Sequence, residues 1–391
     1  MLCKNTKKII TLNHKNHQIF MKRLFLFVLL SFVAFQGADA KKTQKQPKVD
    51  NIIYMIGDGM GLCHVSMLQI EGKYAPTAFD RAQNIALIKS YSANNRVTDS
   101  AAAGTALAAG VKTNNGTLGM TPDGKDVESI MAKASKNGFA TGLVVTCYLQ
   151  HATPAAFYAH VNNRNESNKI SYDFMESGID VAFGGGRKIF DKAYKENGKN
   201  YVDLLKAEGY NVIFDQKEMD GVTSGKVAGL FAEENLPTLK EGRGDYLARA
   251  TEKALEILTA DVEADKKKGF VMMVEGSQID YRSHAKDLEG MLDEMRDFEA
   301  AIKVAMDYAD THPNTLVVVC ADHETSGLSI PSNKTDFTLP ESGINYSFGT
   351  SSHTGVMLPV YLYGAGADAI NGIIENTELS IALQQLIRVA E

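Results

Sequence analysis

The sequence has no tryptophan, only four cysteines and nine prolines in 391 residues, and no excess of positive charge. Four thiols in so long a chain exclude a disulfide scaffold. Lys and Arg number 41 against 47 Asp and Glu, and the resulting charge of −6 excludes a surface built as a whole for nucleic acid or anionic lipid. No apolar stretch reaches the roughly 20 residues that a membrane-spanning helix needs, and no Pro-rich tract or internal repeat divides the chain. What is present is 44% hydrophobic and 23% charged, the balance of an ordinary globular protein, so disorder is excluded as the main state. The length suits two average domains or one large one, and either can bury a sizeable core.

Lys22 and Arg23 precede the apolar segment 24–35, which is followed by Ala38-Asp39-Ala40. A basic start, a short apolar run and an A-x-A-like site describe a secretory signal peptide. Met21 stands at its natural start. Residues 1–20 therefore read as an upstream start-site artefact, 21–40 as the signal peptide, 41–49 as a polar, basic linker and 50–391 as one catalytic domain. The expectation is an exported protein, periplasmic or secreted, with no membrane span in its mature form. Residues 1–40 hold six basic residues and one acid, which leaves 35 basic against 46 acidic residues, a balance of −11. Three cysteines remain (Cys63, Cys147 and Cys320), and an odd number of scattered thiols points to stability from packing rather than disulfides. Cys147 and Cys320 lie in apolar runs, where a thiol acts as a small hydrophobe.

Strand-like runs recur at 51–56, 86–91, 141–147, 180–183, 211–214, 270–274, 315–320 and 360–363. Between them lie helical patterns at 100–109, 126–137, 288–306 and 378–389. Continuous apolar strands alternating with helices imply an α/β fold whose central, mostly parallel sheet carries helices on both faces. Ligands of such sheets gather at the carboxyl ends of the strands.

Three strands deliver acids to that edge. The first runs into Gly57-Asp58-Gly59, another into Glu275 with Asp280 and His284 beyond it, and a third into Asp322-His323-Glu324. Singly, each is an ordinary turn. Together they form a cluster whose like charges repel, and metal cations are the usual compensation. Mixed Asp/His ligation suits zinc, and all-oxygen ligation suits magnesium. Ser100, flanked by Asp99, opens an Ala-rich helix, where it is either a simple cap or a nucleophile beside a site favouring anions. The small residues after it read as room for a substrate. A serine with no G-x-S-x-G context needs another activator, which a coordinated metal can supply. Gln150-His151-Ala152-Thr153-Pro154 and Arg164 gain weight only beside such a serine, and His353 by itself reads equally as a loop histidine.

In their order, these segments resemble the alkaline phosphatases. The matching pieces are IGDGMG at 56–61, VTDSAAAGTALAAGVKTNNGTLG at 97–119, LQHATPAA at 149–156, AHVNNR at 159–164, FGGGRK at 183–188, VEGSQID at 274–280, ADHE at 321–324 and SHTG at 352–355. The resemblance implies hydrolysis of phosphate monoesters of broad structure through a phosphoserine on Ser100. It also implies two zinc ions, a third ion that is usually Mg2+, and a homodimer with no obligate nucleic-acid partner. By the same resemblance Asp280, His284 and His353 hold one zinc, and Asp58, Asp322 and His323 hold the other. Asp58, Glu275 and Thr153 serve the third ion, and Arg164 clamps the phosphate. The ions and Arg164 together make the site cationic although the chain is acidic.

Two positions depart from many bacterial members, which carry Asp where this chain has His151 and Lys where it has Tyr281. A nitrogen donor near the third ion suits zinc or cobalt better than magnesium. The competing readings are a phosphodiesterase or sulfatase of the same superfamily, or a phosphate-binding protein without turnover. Ser100 within TDSAAAGTA, with Arg164 and the third-site residues, favours the monoesterase, and a binding protein would need neither the metal-type cluster nor a nucleophile. Mass spectrometry of exported material is expected to find Lys41 as the first residue; an intact Met1 would overturn the reading of the leader.

Overall fold

The computed structural model describes residues 48–192, 200–264, 267–333 and 343–389. The expected start-site artefact, signal peptide and all but the last two linker residues lie outside the described residues. Eight strands lead up to the last third of the chain: β1 (Asn51–Gly57), β2 (Asn84–Lys89), β3 (Ala140–Tyr148), β4 (Val181–Gly185), β5 (Asn211–Ile213), β6 (Val227–Leu230), β7 (Phe270–Gly276) and β8 (Thr315–Cys320). Four two-residue strands follow: β9 (Glu324–Thr325), β10 (Leu328–Ser329), β11 (Ser347–Phe348) and β12 (His353–Thr354). The last two are β13 (Leu358–Gly364) and β14 (Gly372–Glu375).

Ten of these form one sheet in the order β14-β2-β13-β8-β1-β7-β3-β4-β6-β5. All neighbours are parallel except at β13, which runs antiparallel to both β2 and β8. Every residue of β7 and β8 is buried, so both faces of the sheet centre are covered. The amphipathic helices Tyr246–Glu263 and Leu288–Thr311 pack together and on the central strands. A second group, Ser100–Ala109, Ile130–Lys136 and Asn376–Leu386, packs together and on β2, β3, β7 and β14. This is the α/β architecture that the strand–helix alternation implies.

Two helices start elsewhere than their apolar spacing suggests. The pattern over 126–137 becomes a helix only from Ile130, because the Ser129 hydroxyl accepts from Ala132 N and donates to Phe157 O, fixing the cap. The last helix begins at Asn376, where the Glu378 carboxylate turns back to accept from Glu375 N. The three thiols Cys63, Cys147 and Cys320 are all free. No helix among the described residues is long and apolar enough to cross a membrane.

A buried ion cluster ties the long helices to the loop before them. Arg243, with no exposed side-chain surface, pairs with Glu294 and, at 2.8 Å, with Asp297 of the helix Leu288–Thr311. It also donates to Pro237 O at 3.1 Å, next to Leu236, whose carbonyl accepts from Gln278 on the short helix Gln278–His284. Burial pushes the Asp297 carboxyl up to about 6, Glu294 adding to the shift and Arg243 opposing it. Folding thus disfavours the charged form of Asp297, and stability falls as pH rises from its unfolded value near about 4 through about 6. Replacing Arg243 by Met leaves two buried acids uncompensated and is expected to cost about 3–5 kcal/mol at pH 8. Denaturant melts should show the deficit shrinking as pH falls below about 6, where Asp297 takes up a proton.

Candidate active site

The carboxyl ends of β8, β1, β7 and β3, neighbours in the sheet, present Asp322 and His323, Asp58, Glu275 and Cys147. Gly59 allows the turn after β1. It sits at φ +73°, and a Cβ there would come within 2.9 Å of Asp280 Oδ1 and 2.8 Å of Thr325 Oγ1. Its N–H donates to Asp322 Oδ1 at 3.1 Å, which links the ends of β1 and β8. The helix Gln278–His284 projects Asp280 and His284 from one face, and the antiparallel pair β9–β12 sets His353 opposite Thr325.

Hydrogen bonds to the far ring nitrogens fix the tautomers of three histidines. His284 Nδ1 donates to Ser351 O at 2.7 Å, and His353 Nδ1 donates to Thr98 O at 2.8 Å. Their Nε2 atoms then face each other at 3.3 Å, with Asp280 Oδ2 3.2 Å from His284 Nε2 and Oδ1 3.7 Å from His353 Nε2. Two lone pairs so close repel unless a proton or cation lies between them. The Thr325 hydroxyl donates to Asp280 Oδ1 at 2.5 Å, so it accepts from His323 Nδ1 at 3.1 Å. His323 Nε2 thereby offers its lone pair to the group formed by Asp322 Oδ2 (3.2 Å), Asp58 Oδ1 (3.4 Å) and Ser100 Oγ (3.2 Å).

Ser100 is the first residue of its helix and Asp99 is the cap, its Oδ1 accepting from Ala102 N at 3.0 Å. The other Asp99 oxygen accepts from Gly116 N at 3.0 Å and from Arg164 Nη1 at 3.1 Å. Arg164 Nη2 donates to His151 Nε2 at 3.3 Å, so one guanidinium spans the cap of the serine helix and the His151 ring. The Tyr281 ring lies 5.9 Å from that of His151. Thr153 neighbours Glu275, and atoms of Cys147, His151 and Glu275 lie within 4.8 Å of one another. All thirteen side chains singled out in the sequence thus fall in one connected region.

The electrostatics of this region are those of a cation site. Burial pushes Asp58 well above the usual carboxylate range, with Asp322 adding to it. Burial likewise lifts Asp322 to about 8 and Glu275 to about 7. Although burial also pushes Asp280 upward, its hydrogen bond to His284 and the nearby His323 hold it low, and the same bond lifts His284 to about 9. Burial, then Arg164, lowers His151 to about 3. Both Asp58 oxygens, Asp322 Oδ2, Glu275 Oε1, Thr153 Oγ1 and His151 Nδ1 are buried without a hydrogen-bond partner. Orphaned carboxylate oxygens of this kind, set among imidazole nitrogens and a hydroxyl, fit divalent cations. A groove of about 550 Å3 between the helices Tyr246–Glu263 and Leu288–Thr311 lies apart from them and is lined by Glu252, Glu256, Glu263 and Asp307, which suits no phosphate.

Two expectations change. The small residues after Ser100 give no room to a substrate: Ala101, Ala102 and Ala103 are buried, and a Cβ on Gly104 would come 3.0 Å from Ala156 Cβ, so smallness serves close helix packing. Cys147 is buried as a small hydrophobe would be, yet its thiol donates to Glu275 Oε2 at 3.4 Å. The strand register, which the sequence does not show, brings the two together. Val145 pairs with Glu275, and two residues on, the side chain returns to the same face. Thr325, two residues beyond the Asp-His pair, is equally hidden in the sequence, because its partner Asp280 is remote in the chain.

A family model described as alkaline phosphatase matches residues 49–344. Alkaline phosphatase 3 of Bacillus subtilis is 37% identical over 337 residues, covering 80% of this chain and 71% of that protein. The structure of alkaline phosphatase from the Antarctic bacterium TAB5 superposes with a TM-score of 0.81 at 34% identity, covering 88% of this chain and all of that one. A variant of that enzyme with aspartate in place of a histidine, 33% identical to this chain with a TM-score of 0.81 and covering 88% of it and 99% of the variant, has Mg bound in its M3 site. With a family match over most of its length and these relatives, the chain belongs to the alkaline phosphatase family.

Proposed function

We propose that this phosphomonoesterase works through a phosphoserine at Ser100, in a site made for two zinc ions and a third divalent ion. The observation that carries the reading is the Ser100 hydroxyl 3.2 Å from a His323 nitrogen whose lone pair is fixed by Thr325 and flanked by Asp58 and Asp322. Asp280, His284 and His353 would hold one zinc, and Asp58, Asp322 and His323 the other. Asp58, Glu275 and Thr153 would hold the third ion, with His151 beside it. When bound, the ions supply Lewis-acid charge for the phosphoryl oxygens, the serine oxygen and the attacking water.

The chain's own groups do the rest. Ser100 Oγ gives up its proton to solvent and attacks phosphorus in line, and the P–O bond to the alcohol breaks with its electron pair going to the leaving oxygen, which takes up a proton from solvent. Water then attacks the phosphoserine from the vacated side and loses a proton, the P–Oγ bond breaks with its electron pair going to Oγ, and Ser100 takes up a proton in exchange. Arg164 has donors to spare beyond its bonds to Asp99 and His151, and clamps two phosphoryl oxygens. Asp99 sets both the serine helix and that arginine. Tyr281 places a phenol, and no charge, beside His151. Contacts concentrated on the phosphoryl group leave the alcohol half weakly selected, which supports a broad range of monoesters. Export and homodimer assembly belong to the same proposal.

Hydrolysis of p-nitrophenyl phosphate by Ser100→Ala is expected to fall on the order of 10³-fold or more. An acid quench of the native enzyme should trap labelled phosphate on Ser100; full turnover in the variant would rule out the covalent path. Chelation should abolish activity and zinc restore it, with bis(p-nitrophenyl) phosphate a far poorer substrate. The magnesium-loaded neighbour variant suggests a donor exchange here as well: His151→Asp is expected to raise Mg2+ affinity by about 10-fold or more, measured by titration calorimetry. An unchanged magnesium affinity would place His151 outside the third ion's reach.

A further inference from the structure

Cys147 ends the apolar run of β3, and its thiol meets the one acid of β7. The sulfur, a His151 ring nitrogen and a Glu275 oxygen lie within 4.8 Å of one another. Glu275 is fully buried and His151 only 6% exposed, and each has an unpartnered polar atom, Glu275 Oε1 and His151 Nδ1. Thr153 Oγ1, equally buried and unpartnered, stands beside Glu275.

We propose that Cys147 is a sulfur ligand of the third ion, which makes that position a mixed sulfur, nitrogen and oxygen site for zinc or cobalt. The inference rests on the third-ion reading above and adds to it a donor that an oxygen-ligated magnesium site lacks. Thiolate and imidazole favour the borderline-soft ions over magnesium, which keeps to oxygen. The two donors differ in what they demand of the site. Arg164 donates to His151 Nε2, so the neutral ring keeps its proton on Nδ1; ligation through Nδ1 requires a shift of that proton to Nε2 and a turn of Arg164 away. Cys147 has to exchange only its own proton. Sulfur–metal bonding breaks the S–H bond, leaves the electron pair on sulfur for the ion, and releases the proton to solvent. Glu275 Oε2, freed from the thiol, then becomes a further acceptor.

Cobalt loading of the metal-free full chain tests this. In the native protein the third equivalent of Co2+ is expected to bring sulfur-to-cobalt charge-transfer absorption in the near ultraviolet, after two equivalents that give only the visible bands of nitrogen and oxygen sites. Cys63→Ser should keep the new band. Cys147→Ser should lose it and bind the third equivalent at least about 10-fold more weakly, with the first two unchanged. Cys147→Ala is carried beside it, and circular dichroism melts confirm that the variant scored is folded. Absence of the band with three equivalents bound, or unchanged third-equivalent affinity without Cys147, would overturn the sulfur ligand and leave the phosphatase reading intact. Failure of the first two equivalents to bind would overturn both.

Discussion

Four carboxylates, those of Asp58, Glu275, Asp280 and Asp322, are held out of water at the ends of adjacent strands, and the rest of the molecule is arranged around that constraint. Left alone, such groups would separate or bind protons, as the raised values at Asp322 and Glu275 show. They stay together because each belongs to a rigid element. Parallel strands fix Asp58, Glu275 and Asp322, and a short helix fixes Asp280. Around them, donors are rationed: Thr325 satisfies one oxygen of Asp280, Gly59 and the peptide of His323 share one oxygen of Asp322, and others are left bare. Bare buried oxygens are costly in a protein meant to be inert. Under the proposed function they are preorganisation of another kind: they would hold cations in place, and the cations would meet the charge of the phosphoryl group.

The histidines show how that preorganisation reaches beyond the groups nearest the chemistry. His284, His353 and His323 each spend one nitrogen on the scaffold, two of them on backbone carbonyls and one on a threonine. The remaining nitrogen therefore has a defined direction and a defined lone pair. Stacking of the His323 and His353 rings, with centroids 3.5 Å apart, ties two imidazoles of the site into one slab. His64 plays a purely structural part in the same region. Burial lowers it to about 4, and it accepts from Gly61 N while donating to Ser283 Oγ, which joins the turn after β1 to the helix of Asp280 and His284.

Much of this was legible in the sequence, for a physical reason. Apolar strands with both faces buried leave a run that needs no alternation to be read, and the residue at which the run stops is the residue at the sheet edge. Asp58, Glu275 and Asp322 are visible in that way, and Ser100 by its place at a helix start. Local chemistry hidden from periodicity moved the boundaries: Ser129 delays a helix to Ile130, and Glu378 shapes the cap of another. Thr325 and His64 were not legible, because their partners Asp280 and Ser283 lie far off in the chain. Cys147 is legible as a buried small hydrophobe and not as the neighbour of Glu275. An apolar run shows how dry a side chain is and nothing of the acid it faces across the strand.

The single reversed strand has a topological effect of its own. β8 leaves the sheet at the rim that carries the site, and β13, running the other way, re-enters at that same rim, with Leu358 lying beyond the end of β8. The described residues that flank the site between these strands, His323 and His353 included, lie at that rim and are joined by the short pair β9–β12. Closing a longer connection costs only a slowly growing entropy. Residues can be added or removed there without shifting any strand's register. Substrate choice can therefore evolve at the rim while the scaffold of the reaction stays fixed.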